Sequence, residues 1–281
     1  MTNKFFFMYF GNKYGAEANQ IYQYIGDNIN ETKTLVEPFC GACGLSLFFH
    51  IKKGVKNMNY ELNDIDSNLI NFLRKVKEGE LPDYIDYCNN MGEQYYNNKK
   101  LWSDFARRKN KNLKEYYVYK KLCRGHLLDN YDNTRSHDKY TPISYEKIKI
   151  HEEFFKSDNV ILSNENYDVI FEKYRDDPSA MLFLDPPNII TSNETDNTKM
   201  YVDILKLLKD CKCKVIMLAP KCAIIELLYK DNIKLVYEKM YQMSKKKIQY
   251  MIIANFEPSK KISNKLNREK MEFQDKIIMQ I

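Results

Sequence analysis

Short apolar runs and segments of helical period alternate along most of the chain. Thr34–Phe39 reads as a buried strand, then a glycine-punctuated turn, then a helix over roughly Leu45–Lys53. Asn59–Leu62 reads as a second strand, and Leu69, Ile70, Leu73 and Val76 share one face of the helix after it. Further strands are predicted at Asn159–Leu162, Met181–Leu184, Lys214–Leu218, Ile233–Tyr237 and Tyr250–Ile253, with helices around 167–175, 200–209 and 222–230. Strands separated by helices predict an α/β fold with a parallel sheet covered on both faces. The last two strands lie close enough in sequence to form a terminal hairpin.

Residues 79–157 break that rhythm. They are rich in Tyr, Asn and Lys, and few runs there could be buried strands. They read as a mostly helical insertion with a loop near Asp129–Thr141. The expected organisation is a discontinuous α/β domain of residues 1–78 and 158–256, the insertion 79–157, and a polar tail 257–281.

Composition narrows the class of protein. In 281 residues, 44% hydrophobic side chains against 29% charged give enough apolar material for a core. The net charge is only +6, and 37 of the 44 basic residues are lysines, a skew that suggests AT-rich coding. Basic charge is nevertheless concentrated. Lys99–Arg124 holds ten basic and two acidic side chains, a local +8, so the rest of the chain sums to −2. The Phe5–Phe10 run falls short of a membrane span, and no cleavable signal is evident. Seven cysteines without a framework spacing suggest reduced thiols. An intracellular protein that is neither secreted nor membrane-bound is expected.

Three constellations could carry chemistry. Glu37-Pro38-Phe39-Cys40-Gly41-Ala42-Cys43-Gly44-Leu45-Ser46 joins a strand to a helix, and its small residues let the backbone turn sharply and approach a ligand. It has neither the dinucleotide fingerprint nor a phosphate loop's lysine, and an ordinary tight turn would look the same. Asn63-Asp64-Ile65-Asp66 follows the second strand. An acid there can accept hydrogen bonds from ribose hydroxyls, or Asp66 can simply cap the next helix. Asp185-Pro186-Pro187-Asn188 leaves the Met181–Leu184 strand as a stiff turn that presents a carboxylate and free carbonyls. Asp and Pro are also common in plain loops.

In this order and spacing, the three resemble the Dam-like alpha group of adenine-N6 DNA methyltransferases. Tyr9-Phe10-Gly11-Asn12-Lys13 is similar to that family's N-terminal segment, Ser163-Asn164-Glu165-Asn166-Tyr167 to the segment beside the cofactor adenine, and Tyr250–Asn255 to its last strand. The resemblance covers roughly residues 5–76 and 158–256, with the insertion where the family places target recognition. It implies a Rossmann-like methyltransferase fold that binds S-adenosylmethionine (AdoMet). Tyr9, Lys13, Phe39, Gly41, Gly44, Asp64, Asn166 and Tyr167 would bind the cofactor, with Lys13, Phe39, Gly41 and Asp64 along its methionine and ribose and Asn166 at its adenine. It also implies double-stranded DNA as partner and a target adenine flipped into the site. The Asp185 carboxylate and Pro186 carbonyl would accept the N6 hydrogens, with Pro187 and Asn188 completing the motif.

The chain departs from the family at two places. Asn188 stands where an aromatic usually stacks on the base, and the insertion lacks the Asn-Gly-Pro signature of many relatives. A methyltransferase fold that has lost catalysis and serves as a structural or nucleic-acid-binding subunit therefore stays open, as does RNA as substrate. Arg107, Arg108, Lys109, Lys111, Lys114, Lys120, Lys121 and Arg124 are the candidates for phosphate contacts, with a solvated helix face as the plainer alternative. Lys245-Lys246-Lys247 between the last strands reads as a charged hairpin turn. Cys40 with Cys43, and Cys211 with Cys213, do not add up to a closed metal site, and no metal is expected. His50, His126, His137 and His151 are scattered and read as surface or structural residues. A protein partner or homodimer is left open.

Overall fold

The computed structural model describes residues 14–122, 142–189, 197–241 and 246–258. Tyr9, Lys13, Arg124, His126, His137, the loop near Asp129–Thr141, residues 190–196, Lys245 and residues 259–281 lie outside the described residues. The strands are β1 (Thr34–Glu37), β2 (Asn59–Asn63), β3 (Val160–Ser163), β4 (Ala180–Leu184), β5 (Lys214–Pro220), β6 (Ile233–Tyr241) and β7 (Lys246–Ala254). They form a sheet in the order β3-β2-β1-β4-β5-β7-β6. The helices are α1 (Ala16–Ile25), α2 (Gly44–Leu47), α3 (Ser67–Lys77), α4 (Leu81–Asn97), α5 (Lys99–Arg107), α6 (Leu113–Leu122), α7 (Lys149–Lys156), α8 (Tyr167–Tyr174), α9 (Thr198–Asp210) and α10 (Ala223–Tyr229).

β1, β4 and β5 run parallel, and β7 is antiparallel to both β5 and β6. The sheet is therefore mixed, not parallel throughout. The reason is local: too few residues separate β6 from β7 for a crossover, so they pair as a hairpin. Tyr237 stands opposite Tyr250 in that pair, with stacked rings whose centroids are 6.0 Å apart. Strand order reverses between β1 and β4, and open α/β sheets bind ligands beyond the carboxyl ends of strands at such a point.

The chain divides into two compact units. One comprises Gly15–Phe39, Lys56–Glu61 and Asn166–Ile281. Its core follows from uninterrupted apolar strands: every residue of β4 is buried, as a central strand covered on both faces requires. On α9, Met200, Tyr201, Ile204, Leu207 and Leu208 form a helical stripe that packs with Val36, Leu182, Leu184 and Ile225. In the same unit Glu61, 1% exposed, accepts hydrogen bonds from Lys173 Nζ at 2.6 Å and Tyr174 Oη at 2.5 Å.

The other unit comprises Met1–Tyr14, Cys40–Val55 and Leu62–Glu165. The Asp66 carboxylate starts α3 by accepting the backbone N–H groups of Asn68 and Leu69. Phe72 of α3 stacks on Tyr117 of α6 and meets Tyr84 of α4 edge-on. Buried Glu152 of α7 accepts the Leu81 N–H at 3.3 Å and so holds the start of α4. It also accepts the Tyr145 hydroxyl, whose pKa is pushed up to about 12 chiefly by that bond. Asn89 pairs with both main-chain groups of Ile143, as a neighbouring strand would. The described part of 79–157 is thus a set of helices tied by buried polar groups.

Candidate active site

In the first unit described, β1 and β4 are adjacent and parallel, so Glu37-Pro38-Phe39 and Asp185 emerge at the same edge of the sheet. Glu37 is buried, and Phe39 is half-buried against Tyr167, with ring centroids 5.8 Å apart, and against Phe171 at 6.5 Å. The Tyr167 hydroxyl donates to Asp203 at 3.0 Å, and Lys199 donates to the same carboxylate at 2.8 Å. That lysine bond is the main reason the Asp203 carboxyl lies below its usual range, and burial is the main reason the Tyr167 hydroxyl lies above its own. Asn166 is exposed and caps α8 without a side-chain hydrogen bond.

The Asp185–Asn188 turn is held by its carbonyls. The buried Tyr201 hydroxyl donates to the Pro187 carbonyl at 3.1 Å, and Asn197 Nδ2 donates to the Asn188 carbonyl at 2.7 Å. Tyr201 is itself anchored, because its carbonyl accepts the Tyr229 hydroxyl at 2.5 Å. Burial, then the nearby Asp185 charge, push the Tyr201 hydroxyl well above the ordinary tyrosine pKa, so it stays a donor. Pro186 is buried and its carbonyl has no hydrogen-bond donor among the described residues, while Asp185 is half-exposed and Pro187 and Asn188 are exposed. The turn therefore sets a half-exposed carboxylate next in sequence to a carbonyl that has no donor among the described residues. That acceptor pair suits an amino group with two hydrogens.

In the other unit, the glycine turn reverses through left-handed backbone at Gly41 (φ 48°) and Cys43 (φ 55°), and Gly44 is the buried first residue of α2. The buried Asp64 carboxylate takes the Gly41 N–H on Oδ2 and the Asp66 N–H on Oδ1, each at 3.0 Å. Burial pushes its pKa up and the neighbouring Asp66 charge adds to that, while the two N–H bonds and the Lys120 charge pull it down. Each oxygen keeps a second lone pair, so the group can still accept hydroxyl donors. Sequence reasoning missed two supports. Asn63 exchanges a pair of hydrogen bonds with the main chain of Glu165, at 2.8 and 3.0 Å, and Asn164 Nδ2 donates to the Asp64 carbonyl at 2.7 Å. Strand ends zipped together by asparagine leave no period in the sequence.

The basic helices sort their cations in three dimensions. Arg107 and Lys109 are exposed and have no partner among the described residues. Arg108 is committed to Glu115 at 2.8 Å and lies over Phe105. Lys111 donates to the carbonyls of Ala106 and Arg108 and sits 4.5 Å from the Tyr119 ring centroid. Lys114 lies over Tyr84, Lys120 over Tyr116, and Lys121 is buried. Buried His151, near Lys121 and Lys52, has its pKa lowered to about 4 mainly by burial. No three His, Cys, Asp or Glu side chains gather as a metal site among the described residues, and no described helix is long and apolar enough to cross a membrane.

Comparison with known proteins adds one strong match. A comparison with curated protein sequences finds none. Among solved structures, the delta-N METTL16 MTase domain matches with a TM-score of 0.38 and 9% identity over 85% of this chain and 82% of that one. A likeness that loose carries no argument. The family model for D12 class N6 adenine-specific DNA methyltransferases, by contrast, matches residues 9–243. That span includes the glycine turn, the Asp64 loop, the helical segment 79–157 and Asp185–Asn188, and so the chain belongs to the D12 class of N6 adenine-specific DNA methyltransferases.

Proposed function

We propose that the protein transfers the methyl group of AdoMet to the N6 amine of an adenine flipped out of duplex DNA, with Asp185 and Pro186 receiving that amine. The observation that carries this reading is the half-exposed Asp185 carboxylate followed by a Pro186 carbonyl that has no donor among the described residues, on a turn whose next two carbonyls are already bonded. Two acceptors on the two N6 hydrogens favour a pyramidal nitrogen with its lone pair aimed at the methyl carbon. Little proton chemistry is needed before transfer, so orientation and electrostatics do most of the work. AdoMet, when bound, supplies an electrophilic methyl on a sulfonium. The amine loses one proton afterwards, with the Asp185 carboxylate placed to take it.

The residues fit that cofactor by their chemistry. Asp64 offers oxygen lone pairs to ribose hydroxyls, and Gly41 and Gly44 let the main chain come close without a side chain in the way. Tyr167, fixed by Asp203, offers an aromatic face to an adenine. We assign residues 79–157 to target recognition, with Arg107 and Lys109 as the cations offered to phosphate. Replacing Asp185 with Ala tests the assignment: single-turnover transfer should be lost while AdoMet affinity, measured by calorimetry, is retained. Unchanged turnover would refute the role of Asp185.

A further inference from the structure

Two carboxylates one residue apart repel each other, and at Asp64 and Asp66 the relief comes from the helical insertion. The Tyr116 hydroxyl of α6 donates to Asp66 Oδ2 at 2.7 Å. Asp66 Oδ1 meanwhile accepts the Asn68 and Leu69 N–H groups at 3.1 and 3.3 Å, so both its oxygens are fixed. The Asp66 peptide N–H then fixes Asp64 Oδ1, and Gly41 fixes Oδ2. One turn on from Tyr116, Lys120 Nζ sits 5.3 Å from the Tyr116 ring centroid, and its charge favours the ionised form of Asp64. Tyr116 is buried, so its hydroxyl has little water to turn to.

We propose that Tyr116 is a positioning residue for the cofactor site, aiming the Asp64 carboxylate at the ribose through Asp66. This rests on the assignment of Asp64 to the ribose hydroxyls. A helix of the recognition insertion thereby sets how well the cofactor's sugar is read, and Lys120, which the sequence offers to DNA, supports the cofactor carboxylate. Because the lost hydrogen bond acts on the ribose only at one remove, ribose reading should weaken roughly five- to tenfold, the scale of one ordinary hydrogen bond.

The test compares binding of S-adenosylhomocysteine with binding of its 2′-deoxyribose analogue to the full chain by calorimetry. The wild type should prefer the hydroxyl-bearing ligand. Tyr116→Phe keeps the ring under Lys120 and should narrow that preference roughly five- to tenfold, with affinity for the deoxy analogue unchanged. Asp66→Asn should narrow it similarly, and the double variant no further, because both act through one contact. A thermal melt on each variant checks folding. An unchanged preference in both single variants would overturn the proposal, as would an equal loss of both ligands, which marks general loosening. Asp64→Asn separates the underlying assignment: if that variant keeps the full preference, Asp64 does not read the ribose and the proposal falls with it. If Asp64→Asn abolishes the preference while the other variants keep it, only the role of Tyr116 is refuted.

Discussion

Restoring an aromatic ring at position 188 should speed methyl transfer. Asn188 is exposed, and its main chain is fixed independently of its side chain by the Asn197–carbonyl bond at 2.7 Å, with Tyr201 holding the preceding carbonyl at 3.1 Å. Asn188→Tyr therefore changes what faces the target without moving the turn that carries Asp185 and Pro186. Stacking on a flipped base is worth ~1–3 kcal/mol, and ordering an exposed tyrosine costs about 0.5–1.5 kcal/mol. The difference is about 0.5–1.5 kcal/mol, or roughly two- to tenfold in kcat/KM for DNA. Single-turnover methylation of unmethylated mixed-sequence duplex at saturating AdoMet reads the effect, with AdoMet affinity as the control. An unchanged rate, or a gain confined to AdoMet affinity, would refute a flipped adenine beside residue 188.

Other residues give separate tests. Tyr201→Phe removes the donor to Pro187 and should lower kcat by roughly fivefold, on the scale of one neutral hydrogen bond, with AdoMet affinity retained; a loss of AdoMet affinity in place of kcat would contradict its placement. Reversing the charge of both Arg107 and Lys109 should flatten the slope of log Kd for DNA against log salt by about 2, whereas Lys121→Met should leave it alone. Equal effects would show that burial does not sort these cations. Glu61→Gln should destabilise the fold by about 2 kcal/mol in urea denaturation, since a buried carboxylate loses charge-assisted bonds from Lys173 and Tyr174. The pKa of His151 is lowered from 6.5 to about 4, so the unfolded chain binds more protons between these values. Stability should therefore fall as pH drops through that window, and His151→Gln should flatten the fall. A fall of the same size in the variant would assign it to other groups.

The parts of the fold that could be read from sequence are those with a strong period or an unbroken apolar run. Met181–Leu184 has no polar interruption because β4 is covered on both faces, and the α9 stripe of Met200, Ile204, Leu207 and Leu208 repeats at the helical period. The 79–157 segment was legible as helical but not in detail, because its ends are fixed by buried polar contacts such as Glu152 with Leu81 and Asn89 with Ile143. Among the candidate residues, Asp64 and Asp185 stood out because each follows a strand. Tyr201 and Tyr116 did not, since their positions on a helix look like ordinary core positions and only folding shows that their hydroxyls reach the Pro187 carbonyl and Asp66. Counting charge found the basic segment but could not separate Arg107 and Lys109 from Arg108 and Lys111. That division depends on which carboxylates, carbonyls and rings come within reach after folding.

The most direct measurement of the central claim is methyl transfer from isotopically labelled AdoMet to long unmethylated duplex DNA, with the nucleosides resolved by mass spectrometry. Labelled N6-methyladenine should form with the wild type and vanish with Asp185→Ala. A wild-type sample that binds AdoMet but leaves every adenine unlabelled would contradict transfer through Asp185 and Pro186.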